Sequence, residues 1–73
     1  MKNNVKMFRL ALNLRQEDLA EMLSVSRQTI ISIENCKYSP SLELAIKISH
    51  VFKKSVEEVF VLDERNAFGR DAT

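Results

Sequence analysis

The sequence predicts an all-α domain, a compact bundle of five short helices. Apolar side chains recur three and four residues apart through most of the chain, which is the spacing of one helix face. Small polar residues precede several of these segments, as N-caps do. The length of 73 residues, with one Gly and one Pro, bounds the chain to a single small domain.

Composition excludes several classes of protein. One cysteine cannot form an internal disulfide, and the sequence has no His and Cys cluster that would hold a metal. The segment Met1–Lys6 is polar, with no signal-peptide character, and the longest apolar run, Val59–Leu62, is far shorter than the roughly 18 residues of a membrane-spanning helix. We therefore predict a soluble cytoplasmic protein without metal or cofactor.

Charge is distributed unevenly along the chain, although the net charge is only +1. Residues 1–38 carry six basic against four acidic side chains, and residues 39–73 carry five against six. A basic excess in the first half suits phosphate binding, and ordinary solvated charge explains it equally well.

The first helix is predicted over residues 4–12, with Asn3 or Asn4 as its N-cap. Its apolar stripe consists of Val5, Phe8 and Leu12. Asn13 should end it, because asparagine tolerates the left-handed conformation found just past many helices.

The second and third helices are predicted over residues 16–23 and 27–35, joined by a turn over residues 24–26. Leu19, Ala20 and Leu23 form the apolar stripe of the second helix, for which Arg15 is a poor N-cap. Ser26 is a good N-cap for the third. The β-branched residues of the third segment favour a strand by propensity, but the i, i+3 spacing of Ile30 and Ile33 favours a helix.

The fourth helix is predicted over residues 42–52, after a loop containing Pro40 and a capping Ser41. Its broad apolar face consists of Leu42, Ala45, Ile46, Ile48, Ser49 and Phe52. Ser55 and Glu58 form a capping box that begins a fifth helix over residues 56–62. Residues 1–62 are thus the domain, and residues 63–73 are expected to be a frayed or disordered tail.

Residues 5–62 resemble the phage-repressor and Cro type of helix-turn-helix protein, the XRE family of bacterial and phage transcription regulators. The resemblance depends on residue types at fixed spacings: Arg9, Gln16, Leu19-Ala20, Val25-Ser26, Gln28, Ile30, Glu34-Asn35, Lys37 and Pro40. It implies a lambda-repressor-like DNA-binding bundle in which helices 2 and 3 form the helix-turn-helix. It also implies a homodimeric repressor on a palindromic operator in double-stranded DNA.

The resemblance places the base readers on the third helix, whose first turn reaches base edges in the major groove. Arginine can bond guanine with two hydrogen bonds, and glutamine can bond adenine in the same way. The implied base-reading residues are Arg27, Gln28, Ser32 and Ile31. Simple solvation of Arg27 and Gln28 is the alternative.

Other residues are expected to bind phosphates or to hold the reader in place. The implied phosphate contacts are Gln16, Thr29, Asn35, Lys37, Arg15 and Tyr38. Lys37, Arg15 and Tyr38 fit equally an ordinary exposed surface. The resemblance assigns Arg9 and Glu34 to a partly buried structural ion pair.

The chain departs from the family at four positions that usually hold glycine: Asn13, Ser24, Cys36 and Lys53. We expect Ser24 and Cys36 to have left-handed backbone conformations, each of which costs about 1–2 kcal/mol of stability. Lys54 replaces a usually apolar residue, so the fifth helix is expected to dock less firmly.

The dimer surface is expected on the exposed apolar side of helices 4 and 5 and in the C-terminal segment. Its candidate residues are Val59, Val61, Leu62 and Phe68. These residues would serve equally well to complete the core of the monomer.

An enzyme is rejected, because neither Cys36 nor His50 has a partner of the right type at ligand or triad spacing. We expect His50 on an exposed helix face and Cys36 as a loop thiol, with redox sensing as a minor alternative. The competing function is a protein-interaction module, such as an antitoxin or adaptor on the same fold.

Overall fold

The computed structural model describes residues 2–62, and the prediction of an all-α bundle is confirmed there. In chain order the elements are β1 (Lys2–Asn3), α1 (Val5–Ala11), α2 (Gln16–Leu23), α3 (Arg27–Glu34), α4 (Leu42–Phe52), α5 (Val56–Val59) and β2 (Phe60–Val61). The strand-like sequence of α3 is therefore helical. The expected tail, residues 63–73, lies outside the described residues.

Serine side chains begin three of the helices, as the sequence predicts. Ser26 Oγ accepts a hydrogen bond from the backbone N–H of Thr29 at 3.1 Å, and Ser41 Oγ accepts one from Leu44 at 3.2 Å. Ser55 and Glu58 bond each other's backbone N–H groups, which completes the capping box. These contacts satisfy N–H groups that have no partner within their own helix.

Four helices are followed by a left-handed residue that is not glycine. The φ angles are 57° at Asn13 and Ser24, 60° at Cys36 and 56° at Lys53. The expectation for Ser24 and Cys36 is thus confirmed, and Lys53 adds a further case. Because a Cβ atom crowds this conformation, Ser24, Cys36 and Lys53 should each destabilise the domain by about 1–2 kcal/mol, and Asn13 by less.

The core lies where α2, α3 and α4 meet the inner faces of α1 and α5. Its largest fully buried side chains are Leu19, Ile30, Ile33, Ile48, Val5 and Val59. The rings of Phe8 and Phe52 pack at its edge with centroids 5.7 Å apart. Lys54, at a position that is usually apolar in the family, extends its ammonium over the Phe8 ring at 5.4 Å, as a cation–π contact does.

Three residues assigned to apolar stripes are exposed instead: Leu12, Leu42 and Ile46. Leu12 is the C-cap of α1 and lies beyond its regular turns. Leu42 is the first residue of α4, and Ile46 lies one turn later on the same side, away from the core. The apolar face of α4 is accordingly narrower than predicted.

The prediction of a fifth helix over residues 56–62 is wrong at its end. The helix stops at Val59, and Phe60–Val61 pairs antiparallel with β1, with Asn3 opposite Phe60 and Lys2 opposite Val61. Aromatic and β-branched residues favour extended backbone, and the N-terminal segment supplies the partner. We call this pair of strands the β1–β2 clasp.

Both asparagines before α1 contribute to its start and to the clasp. Asn4 is the N-cap by position, but Asn3 Oδ1 accepts the hydrogen bond from the N–H of Val5 at 3.1 Å. Asn4 instead donates from its backbone to the Val59 carbonyl at 2.8 Å and from its side chain to the Glu58 carbonyl at 2.9 Å. The end of α5 is thereby fixed against the start of α1.

The helices between residues 2 and 62 have at most 11 residues. None of the helices in this range is long and apolar enough to cross a bilayer.

Candidate nucleic-acid interface

The turn between α2 and α3 sets the angle between these two helices. Ser24 takes the left-handed conformation, and the N–H of Val25 then bonds the Ala20 carbonyl at 3.0 Å. Val25 packs partly buried against the core, as expected of the one apolar residue in this turn. Ser26 then begins α3.

The inner side of α3 is buried and its first turn is exposed. Ile30 and Ile33 have no accessible surface, whereas Arg27 and Gln28 are both exposed. Ile31 and Ser32, further along the helix, are half-buried. Arg27 and Gln28 are thus exposed together at the N-terminal end of α3, while the opposite side of the helix packs against the core.

A buried ion pair holds the far end of α3. Arg9 Nε donates to Glu34 Oε2 at 2.7 Å and Nη2 donates to Oε1 at 3.3 Å, with side-chain exposures of 7% and 4%. Arg9 Nη1 also donates to the carbonyl of Leu14 at 2.8 Å. These bonds join α1, the α1–α2 loop and the last residue of α3.

Gln16 belongs to the same network. Its Nε2 donates to Glu34 Oε1 at 3.2 Å, and its side chain is half-buried. An amide nitrogen has two N–H donors, so this contact uses one of them. The residue expected at a DNA phosphate therefore also links the start of α2 to the end of α3.

Asn3 is a scaffold residue that the sequence did not reveal. Its Nδ2 donates to the carbonyl of Ile33 at 2.8 Å and lies 3.7 Å from Cys36 Sγ. Asn3 therefore connects β1 to the last turn of α3. The two partners are 30 residues apart in sequence, and no local pattern signals such a contact.

The expected phosphate contacts after α3 lie on an exposed segment. Asn35, Lys37 and Tyr38 are all exposed, and the backbone N–H of Lys37 bonds the Ser32 carbonyl at 2.9 Å. Cys36, between them, is also exposed. This segment is therefore accessible and fixed to the helix that precedes it.

Arg15 is exposed and has an ionic partner. Its Nη2 lies 3.1 Å from Asp18 Oδ1, and its backbone N–H donates to Asp18 Oδ2 at 2.8 Å. The carboxylate thus satisfies the backbone N–H of Arg15, although an arginine side chain cannot accept the N–H groups at the start of the helix. The hydrogen bond from the Arg15 side chain, followed by the backbone bond, lowers the pKa of Asp18, and the same side-chain bond raises the pKa of Arg15.

A hollow of about 270 Å³ adjoins the first turn of α3. It is lined by Ser26, Gln28, Thr29, Ser32 and Tyr38. Thr29 Oγ1 lies 2.9 Å from Ser26 Oγ, so the hydroxyl expected at a phosphate already has a partner within the protein. The hollow brings two expected base readers together with a ring from the loop after α3.

Within residues 2–62, no three His, Cys, Asp or Glu side chains lie together in a group that could hold a metal ion. His50 is exposed near the end of α4.

Two packed helices joined by a short turn, with the first turn of the second helix exposed, are the arrangement found in the helix-turn-helix class of DNA-binding proteins. A family model described as helix-turn-helix matches residues 5–59. The chain belongs to the XRE family of helix-turn-helix transcription regulators.

Relatives from archaea and bacteria carry the same description. An uncharacterized HTH-type transcriptional regulator of Methanocaldococcus jannaschii is 53% identical over 64 residues, covering 88% of this chain and 97% of the relative. One from Archaeoglobus fulgidus is 45% identical, covering 88% and 90%. The uncharacterized regulator YgzD of Bacillus subtilis is 47% identical, covering 90% and 100%. The family and these relatives are regulators by name, which agrees with the rejection of an enzyme.

Proposed function

We propose that the protein is a sequence-specific repressor that places α3 in the major groove of a palindromic operator. The observation that carries this proposal is the exposed first turn of α3, where Arg27 and Gln28 project from a helix buried on its other side. The major groove admits one α-helix, and long side chains with two hydrogen-bonding groups distinguish its base edges. A dimer that occupies such an operator denies that DNA to other proteins, and hence represses.

The two exposed side chains have different chemical preferences. Arg27 matches the two acceptors of guanine, and Gln28 matches the donor and acceptor of adenine. Ser32 and Ile31 lie one turn further along, half-buried, and contact bases at the edge of the footprint. Sequence preference therefore depends mainly on the first turn.

Phosphate contacts on two sides of α3 would position this helix on the DNA. Asn35 and Lys37 are exposed just past the end of α3, and the N-terminal N–H groups of α2 together with Gln16 offer a second anion-binding position. Thr29, Arg15 and Tyr38 complete the proposed set. Contacts of this kind fix the register of the protein on the duplex and carry no sequence information.

Dimerisation would supply the second half-site. An apolar groove of about 270 Å³ between α4 and α5 is lined by Pro40, Leu42, Ala45, Val56, Glu57, Phe60 and Leu62. Leu42 and Leu62 are 73% and 62% exposed, which is unusual for large apolar side chains in one patch. Val59, expected in this surface, is fully buried and belongs to the core. Phe68 lies outside the described residues.

Selection of bound duplexes from a random-sequence pool tests DNA reading directly. Affinity for the selected duplex should fall steeply with salt, because bound phosphates release counterions. Gln28→Ala should weaken binding to that duplex about tenfold or more while changing nonspecific binding little. Met22→Ala, at an exposed position on α2, is the control and should bind as the native protein does.

Phosphate binding is separated from base reading by a second pair of variants. Lys37→Ala should weaken binding to all sequences and reduce the salt slope by about one contact. Lys47→Ala removes an exposed lysine from α4 and should leave the slope unchanged. Failure to retain any duplex at low salt would contradict the proposal and favour the protein-interaction module.

Sedimentation equilibrium tests the proposed dimer. Leu62→Asp places a charge at the rim of the α4–α5 groove and should shift the mass from dimer to monomer. Met22→Asp adds the same charge at a similarly exposed apolar residue on α2 and should leave the mass unchanged. A monomeric native protein at every concentration would refute this part of the proposal.

A further inference from the structure

We infer that Tyr38, with Gln28 and Ser32, forms a hollow that accepts the 5-methyl group of a thymine in the bound DNA. This inference rests on the proposed function and adds a residue outside the helix-turn-helix to the base-reading set. The sequence assigned Tyr38 to phosphate, but the structure places it in the same hollow as two of the expected base readers. The ring would thereby contribute to sequence preference.

The hollow is built from two parts of the chain. Gln28 and Ser32 lie one helical turn apart on α3 and line the hollow from the helix. Tyr38 comes from the loop after α3, is 47% exposed, and lines the same hollow. The backbone bond from Lys37 to the Ser32 carbonyl, at 2.9 Å, fixes the start of that loop against the helix.

Two of the hydroxyl groups that line the hollow are already engaged with each other. Ser26 Oγ and Thr29 Oγ1 lie 2.9 Å apart, and Ser26 Oγ also accepts the backbone N–H of Thr29 at 3.1 Å. The pair therefore has less capacity to bind a phosphate than its two hydroxyls suggest. The exposed lining of the hollow is mainly apolar.

The floor of the major groove offers one apolar group that matches such a lining. Every other group that distinguishes the base edges there is a hydrogen-bond donor or acceptor, whereas thymine carries a 5-methyl group. Gln28, at the rim of the hollow, has the chemistry to bind adenine. A thymine in the same or the adjacent base pair would then bring its methyl group beside the Tyr38 ring.

Replacement of thymine by deoxyuridine tests this inference, because the change removes the methyl group and leaves the Watson–Crick edge intact. The probe is a duplex selected by the native protein from a random-sequence pool, with each thymine replaced in turn. At one position in each half-site, the replacement should weaken binding about threefold to fivefold, the equivalent of one buried methyl group.

Variants of Tyr38 then assign the effect to the hollow. Tyr38→Ala should bind thymine and deoxyuridine duplexes equally at that position, whereas Tyr38→Phe, which keeps the ring, should retain the preference. Circular dichroism melts check that both variants fold. The inference is overturned if no replacement weakens binding, or if Tyr38→Ala discriminates as the native protein does. Failure to select any duplex is a separate result, and it refutes the proposed function as well.

Discussion

Arg9 on α1 and Glu34 at the end of α3 form a two-bond ion pair, with 2.7 Å between Nε and Oε2, in a site that excludes almost all water. Gln16 and the Leu14 carbonyl complete the hydrogen bonding of the two charges. The orientation of α3 therefore depends on a residue of the first helix that is itself buried.

Removal of one partner of this pair should destabilise the domain strongly. Arg9→Ala leaves the carboxylate of Glu34 buried without its cation, at about 3–5 kcal/mol, whereas the double variant with Glu34→Ala should cost much less than the summed single variants. Urea unfolding of the four proteins measures the coupling. Arg9→Lys serves where Arg9→Ala fails to fold, since it keeps the charge and loses the two-bond geometry. Additive effects would show that the pair is not coupled.

Glycine at a left-handed position should stabilise the domain. Cys36→Gly relieves a φ of 60° and should raise the melting temperature by several degrees, from about 1 kcal/mol in a domain of this size. Cys36→Ala keeps the Cβ atom and should show no such gain, which separates backbone strain from loss of the thiol. Ser39→Gly, in the same loop, is a second control. A lower melting temperature for Cys36→Gly would mean that the contact between Asn3 and the thiol outweighs the strain.

Two asparagines near the C-terminal end of α3 should give different phenotypes. Asn3→Ala loses the bond to the Ile33 carbonyl and should reduce the free energy of unfolding by about 1–3 kcal/mol. Asn35→Ala, at an exposed position, should leave stability unchanged and weaken DNA binding. Thermal melts and salt-dependent binding of both variants make the comparison. Equal melting temperatures for the two variants would show that Asn3 does not stabilise the domain.

Acid should weaken the two N-terminal carboxylate caps. The backbone N–H of Ser55, followed by its side chain, lowers the pKa of Glu58 from its ordinary 4.5, and Arg15 lowers the pKa of Asp18 from 3.8. Because both pKa values are lower in the folded state, this stabilisation is present above the ordinary values and is lost as pH falls through the folded ones. Melting temperatures between pH 6 and pH 2 (roughly the span of carboxyl titration) should decline less for Glu58→Gln than for the native protein. Glu57→Gln, the neighbouring control, should retain the native decline.

Local signals account for most of what the sequence predicted correctly. Serine caps and i, i+3 spacings lie within a few residues of the helices that they define, so α3 and α4 could be located despite the β-branched residues of α3. Ser24 and Cys36 could be recognised as left-handed because glycine is usual there in the family. The resemblance to the family likewise predicted the ion pair of Arg9 and Glu34 and the exposure of Arg27 and Gln28.

The features that the sequence did not predict depend on contacts between distant segments of the chain. The β1–β2 clasp joins residues at the two ends of the domain, and backbone pairing over such a separation leaves no periodic trace in so short a strand. The same is true of Asn3 and Ile33, and of Gln16 and Glu34, which are 30 and 18 residues apart. The end of α5 was misplaced because Phe60 and Val61 fit a helix face by type, while their partner lay at the other end of the chain.

The β1–β2 clasp places the first and last strands of the domain side by side at one corner, with Lys2 opposite Val61. Phe60 and Leu62, beside that corner, line the α4–α5 groove. A fusion partner attached directly before Lys2 or directly after Leu62 would therefore emerge next to this groove. A few added residues would bridge Lys2 and Leu62, so new termini could be opened in the exposed segment after α3 without breaking a helix.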